Sequence, residues 1–254
     1  MKKKIIIFMT SKKIQYLIKE GYDIKLSPFF DYLTFKSVIK DELQNNEEYK
    51  LNVDVLLDTD ITINHTLNFP KMSFFKAKML VFKELKLLYK DLSQYQVNLK
   101  FNLNNKKYLT VYVDMIPKEE LDMIQVLIKD LKLGKSKFYL VKDILQSAIG
   151  KDLSVFLLKD EVEKYSLHMY HQGEYQMLNL DEFNEMSFIK NLNTLYAYYK
   201  VSTDQISQIK FKLLSDNETL IDENVFLKQY KFEQMNNQEL NQLIIDNYKK
   251  QKGF

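Results

Sequence analysis

Apolar positions along this chain follow two rhythms, one of strands and one of helices. Residues 4–9 form an unbroken apolar run suited to a strand buried on both faces. Residues 14–19 follow after the polar tetrapeptide Thr10-Ser11-Lys12-Lys13, and residues 22–26 alternate until Ser27-Pro28. Together they predict a three-strand meander. Phe30, Leu33, Phe35, Val38, Ile39 and Leu43 recur at mostly helical spacing, so a helix is expected to end near the polar run 44–48. Strands are expected at 51–57 and 61–69, with Asp58-Thr59-Asp60 as the turn between them. Pro70 closes the second, and Ser73 is placed to cap a helix over 74–89 with a stripe of Phe75, Met79, Phe82, Leu85 and Leu88.

Two strands, 95–103 and 108–115, flank the hairpin signal Asn104-Asn105. Pro117 then suits the first turn of a helix whose Glu119 and Glu120 favour the positive end of its dipole and whose end is expected at Gly134. A short strand at 137–141 and a short helix at 142–149 lead into a second meander at 153–158, 162–170 and 174–178, its last turn being His171-Gln172-Gly173. A helix over 181–199, a strand over 206–213 and a final helix over 238–248 complete the chain. Meander plus helix thus occurs twice, which predicts two similar lobes.

Composition narrows the function classes. The chain is 46% hydrophobic and 28% charged over 254 residues, as ordinary globular proteins are. Its net charge of +3 comes from 37 basic and 34 acidic residues, which gives no long-range field for nucleic acid. Every basic residue is Lys, so the planar fork that reads guanine and phosphate is missing, and no nucleic-acid partner is expected. An AT-rich coding sequence is the stronger explanation of the missing Arg. The absence of Cys removes disulfides and thiolate chemistry. Met1-Lys2-Lys3-Lys4 before an apolar run looks like a signal peptide, but the run is short and lacks a small-residue cleavage site; no stretch approaches the ~20 apolar residues of a membrane span. A cytoplasmic location is expected, with membrane association only through a partner.

Candidate chemistry is sparse. Asp58 and Asp60 offer carboxylates in one turn, yet hard cations need more converging oxygens, so a solvated turn and no metal is the expectation. His65, His168 and His171 are too scattered for a metal site. Ser154 and Ser166 carry no nucleophile elbow, neighbouring Gly or partnered His in the sequence. The 17 Tyr and 17 Phe recur mainly at core spacing, which argues for packing over base stacking. Five glycines, Gly21, Gly134, Gly150, Gly173 and Gly253, stand far apart, so no glycine-rich loop is present to cradle a triphosphate.

The order of elements resembles actin-like proteins of the PilM type, from type IV pilus machines, and the related GspL cytoplasmic domain of type II secretion. The resemblance covers roughly residues 1–213. It is most specific at 62–88, where a strand ends in Phe69-Pro70-Lys71-Met72 before a long helix with Glu84. It continues at 109–148, where Val111-Tyr112-Val113-Asp114-Met115-Ile116-Pro117-Lys118-Glu119 precedes a helix and Leu133-Gly134, and at 153–178, with His171-Gln172-Gly173-Glu174. It implies a mixed α/β, actin-like (ribonuclease H-like) two-lobe fold: 1–150 as the first lobe with a small subdomain inserted at about 58–106, and 151–254 as a second, shortened lobe.

ATP-binding members of this family carry Asp, Gly and small hydroxyl residues after the first strand. The matching segment here, Phe8-Met9-Thr10-Ser11-Lys12, keeps hydroxyls and a Lys but has neither Asp nor Gly, and the second hairpin offers Leu158-Lys159-Asp160-Glu161 without Gly. Thr10, Ser11, Lys12 and Asp160 are therefore expected to be a vestigial nucleotide site, with no cofactor, and ATP with magnesium as the alternative. The resemblance further implies a groove holding the short cytoplasmic tail of a single-pass inner-membrane partner, expected at Phe69, Pro70, Phe74 and Lys78. The expected function is a non-catalytic scaffold of a pilus or secretion machine. Two alternatives stay open: an active actin-like ATPase with divergent phosphate loops, and an unrelated two-domain α/β protein-binding module.

Overall fold

The computed structural model describes residues 4–11, 13–20, 23–44, 53–103, 108–149, 153–159, 165–171, 174–215 and 220–250. Two compact units divide the chain, residues 1–140 and residues 141–252.

The first unit opens with β1 (Lys4–Met9), β2 (Ile14–Glu20), β3 (Asp23–Leu26), α1 (Tyr32–Gln44) and β4 (Val53–Leu57). It then adds β5 (Ile63–Pro70), α2 (Phe74–Leu88), β6 (Tyr95–Asn102), β7 (Tyr108–Pro117), α3 (Lys118–Asp130) and β8 (Ser136–Leu140). Its main sheet has the order β3-β2-β1-β4-β8, antiparallel across the meander and parallel from β1 to β4 and β4 to β8. Ile5, Ile6 and Ile7 are all fully buried, which is why β1 reads as an apolar run without alternation. One face of the sheet packs against Phe35 and Ile39 of α1 and Leu121, Ile124 and Leu127 of α3.

A smaller sheet, β5-β7-β6, is all antiparallel and lies between β4 and α3 in the chain. Ala77, Val81 and Leu85 of α2 are buried against Leu109, Val111, Val113 and Met115 of β7. The expected stripe is thereby corrected: Leu85 faces the sheet, but Phe75 is 74% exposed and Met79 61% exposed, with Leu88 also exposed. The helix is apolar on more than one side, and the side bearing small Ala77 and Val81 lets its backbone approach a sheet surface already filled by Leu, Val and Met.

The second unit contains α4 (Val141–Ile149), β9 (Ser154–Lys159), β10 (Tyr165–His171), β11 (Glu174–Asn179), α5 (Glu185–Tyr199) and α6 (Thr203–Ile206). It ends with β12 (Lys210–Leu214), α7 (Leu220–Glu223), α8 (Val225–Gln229), β13 (Glu233–Met235) and α9 (Asn237–Asn247). Its sheet, β11-β10-β9-β12-β13, repeats the pattern of the first: an antiparallel meander with two parallel strands on the far side. Val155, Leu167 and Met169 pack on Phe188, Leu192 and Leu195 of α5 and on Phe226 and Leu227 of α8.

Local boundaries differ from the sequence reading in several places, and α5 begins at Glu185, four residues later than expected. Pro117 is the N-cap residue of α3, outside the first turn. The helix ends before Gly134: Lys132 takes the positive-φ position at 53°, Leu133 N–H donates to Ile128 O and Lys132 N–H to Lys129 O. Finally, Ser202 caps the short α6, which occupies the start of the expected strand and delays β12 to Lys210. Asn104-Asn105 and Gln172-Gly173 lie outside the described residues.

Candidate functional site

The register of β1 and β4 builds the site. Met9 pairs with Leu57 at the ends of these parallel strands, so the turns that follow lie side by side. Asp58 N–H donates to Met9 O at 2.9 Å and fastens the second turn to the first. Thr10 closes its own turn: its hydroxyl donates to Lys13 O at 3.2 Å and accepts from Lys13 N–H at 2.9 Å, while Thr10 N–H donates to Lys13 O. Ser11 turns outward instead. Its N–H at 3.0 Å and its hydroxyl at 2.7 Å both donate to Oδ2 of Asp60, which stands in the 3-10 turn Thr59–Ile61 after β4.

Asp60 also acts on a second carboxyl, that of Glu120. Burial raises the pKa of the Glu120 carboxyl above its ordinary value, and the nearby charges of Glu119 and Asp60 add to the rise. Thr10 and Ser11 lie in this turn, whereas Lys12 and Asp160 lie outside the described residues. Sequence reasoning missed the partnership of Asp60 with Ser11, separated by 49 positions. The parallel pairing of β1 with β4 was the signal for it, since it fixes which turns are neighbours.

The other group of expected residues lies on the smaller sheet. β5 is an edge strand, bonded to β7 alone among the described strands. Phe69 leans into the core beneath α2, and Pro70 beside it is exposed. Phe74 is on the first turn of α2, with its ring 5.1 Å from Phe101 on β6, the opposite edge of the sheet. Lys78 is exposed one turn later. Phe69 and Pro70 thus share one margin, while Phe74 and Lys78 belong to the helix crossing above.

The second unit corrects the reading of Ser166. Its hydroxyl is hydrogen-bonded to Nε2 of His168 at 2.7 Å, because residues two apart on β10 share a face, and His168 Nδ1 meets the Tyr175 hydroxyl at 2.9 Å. His168 is fully buried and desolvation lowers its pKa to about 3, which makes it a weak base. It acts as a polar clip between β10 and β11. A separate polar cavity of about 250 Å³ is lined by His171, Glu174, Tyr198, Tyr199, Lys200 and Gln205.

No protein-family model matches this chain. No curated protein matches it in sequence. Solved structures do. The chain is similar over 96% of its length to 96% of a Bacteroides thetaiotaomicron protein with an actin-like ATPase fold and unknown function, at 14% identity and a TM-score of 0.54. Over 98% of its length it is similar to 96% of the cytoplasmic domain of EpsL, an inner membrane component of the type II secretion system of Vibrio cholerae, at 12% identity and a TM-score of 0.57. Over 96% it is similar to 94% of a chain of the PilM-PilN type IV pilus biogenesis complex, at 13% identity and a TM-score of 0.58. The fold is actin-like.

Proposed function

We propose that this chain is a non-catalytic, actin-like cytoplasmic scaffold that holds the short tail of a single-pass inner-membrane protein in a type IV pilus or type II secretion assembly machine. The observation that carries the non-catalytic half is the bond between Ser11 and Asp60. A phosphate-binding turn works by presenting free N–H and O–H donors to an anion. Here the N–H and hydroxyl of Ser11 already serve an internal carboxylate, and the hydroxyl of Thr10 is engaged with Lys13. A triphosphate brought to this turn would compete with Asp60 for Ser11 and meet the negative charge of Asp60. Lys12 and Asp160 have no phosphate to bind in this reading.

The tail-binding half is supported by the edge position of β5 and by the likeness in fold to a PilM-PilN complex and to the cytoplasmic domain of EpsL. An extended segment could add as a further strand along β5, and Pro70 at its end limits how far the pairing runs. Phe69 and Pro70 would border that segment, with Phe74 and Lys78 on the helix above. The protein would reach the membrane through this partner.

Photocrosslinking in the native cell tests the reading. A benzoylphenylalanine at position 68 or 70, both exposed, is expected to capture a membrane protein with one span and a short cytoplasmic segment. Crosslinks only to soluble proteins, or none at either position, would overturn it.

A further inference from the structure

The outer half of α2 has no role in the reading above, and it carries several exposed apolar side chains. Phe75, Met79 and Phe82 recur at helical spacing on the side away from the sheet; Phe75 and Met79 are exposed and Phe82 is half-exposed. Leu87, 75% exposed, adds a further apolar group near the C-terminal end of the helix. Large apolar side chains this open on a single helix mark an interaction surface.

Charge decides between the classes of partner. α2 carries four lysines, Lys76, Lys78, Lys83 and Lys86, against one acid, Glu84. Among the described residues, none of these lysines is in an ion pair. Lys76 and Lys83 flank the Phe75–Met79–Phe82 stripe on the side opposite Lys78, while Lys86 continues the stripe itself. Leu87 lies well round the helix from Phe82, with Lys76 and Lys83 between them. Bulky apolar groups with lysines whose alkyl stems can extend past them are the chemistry of a helix lying in a membrane interface.

From this juxtaposition we infer that the outer face of α2 lies directly on an anionic lipid surface, with Phe75, Met79 and Phe82 entering the headgroup boundary and Lys76, Lys83 and Lys86 meeting lipid phosphates. The contact does not depend on the tail-binding reading, because it uses other residues and needs no protein partner.

Flotation of the full chain with vesicles tests it. Binding is expected to vesicles of phosphatidylcholine mixed with phosphatidylglycerol, to fall as salt rises, and to be weak on phosphatidylcholine alone. Lys83→Gln and Lys86→Gln should each lower partitioning on the order of fivefold. Phe75→Ser with Met79→Ser should abolish it, and unchanged thermal unfolding would show that the variants stay folded. No flotation with the anionic vesicles, or flotation unaffected by these variants, would overturn the inference. Retention on an acidic protein surface without lipid binding would assign the face to a protein instead. Loss of the crosslink at position 68 or 70 with flotation intact would separate failure of the tail reading from failure of this one.

Discussion

Ser11 gives both its backbone N–H and its hydroxyl to one oxygen of Asp60, at 3.0 Å and 2.7 Å, joining the turn after β1 to the turn after β4. Donors that could face an anionic ligand are thereby used within the fold. Asp60→Ala is expected to lower stability by about 1 kcal/mol, since two hydrogen bonds to a charged acceptor are lost at an exposed site. Asp60→Asn, which keeps an acceptor, should cost less. Chemical denaturation of the two variants checks the order.

Three helices end alike and without glycine. Lys132, Lys200 and Lys231 have φ near 53°, 52° and 51°, and in each case the next residue's N–H reaches five residues back, to Ile128, Tyr196 and Leu227. This is the turn in which Gly is usual. Replacing each Lys by Gly should raise stability by about 1 kcal/mol, because a Cβ is strained in the left-handed region. Lys→Ala at the same positions should give no such gain.

The two sides of α2 predict opposite behaviour. Leu85→Ala removes a fully buried side chain from the small-sheet core and should cost about 3 kcal/mol. Phe75→Ala, on the exposed side, should change stability by no more than about 0.5 kcal/mol. Thermal melts of the two single variants decide which face is inward.

His168 predicts an acid sensitivity. The folded protein keeps it neutral down to about pH 3, while the unfolded chain protonates it near its ordinary value of 6.5. Between these values the unfolded state binds the extra proton, so stability falls as pH is lowered, by up to about 1.4 kcal/mol per unit from this group. Above pH 6.5 the group contributes no slope. His168→Gln should flatten the fall between pH 6 and about 4, measured as denaturation midpoint against pH.

Much of the architecture was legible because α1, α3 and α5 each carry one clear helical period and β1 is an unbroken apolar run. Where two periods overlap, as on α2, the sequence could not say which apolar side would be inward, because that depends on the fit of Ala77 and Val81 to β7. Scarcity of glycine proved a poor guide to backbone shape, since lysine holds positive φ at Lys132, Lys200 and Lys231. It therefore speaks less about phosphate binding than the hydrogen bonds of Ser11 do. Those bonds were hidden from the linear pattern because their partner depends on the pairing of β1 with β4. The Ser166 and His168 pair was readable from strand alternation alone, and its buried, neutral state was not.

Calorimetric titration of the full chain with ATP and magnesium tests the central claim most directly. With Ser11 committed to Asp60, no binding is expected up to millimolar nucleotide. Sub-millimolar binding that is lost in Lys12→Ala or Asp160→Asn would contradict the account and make the chain a nucleotide-binding protein.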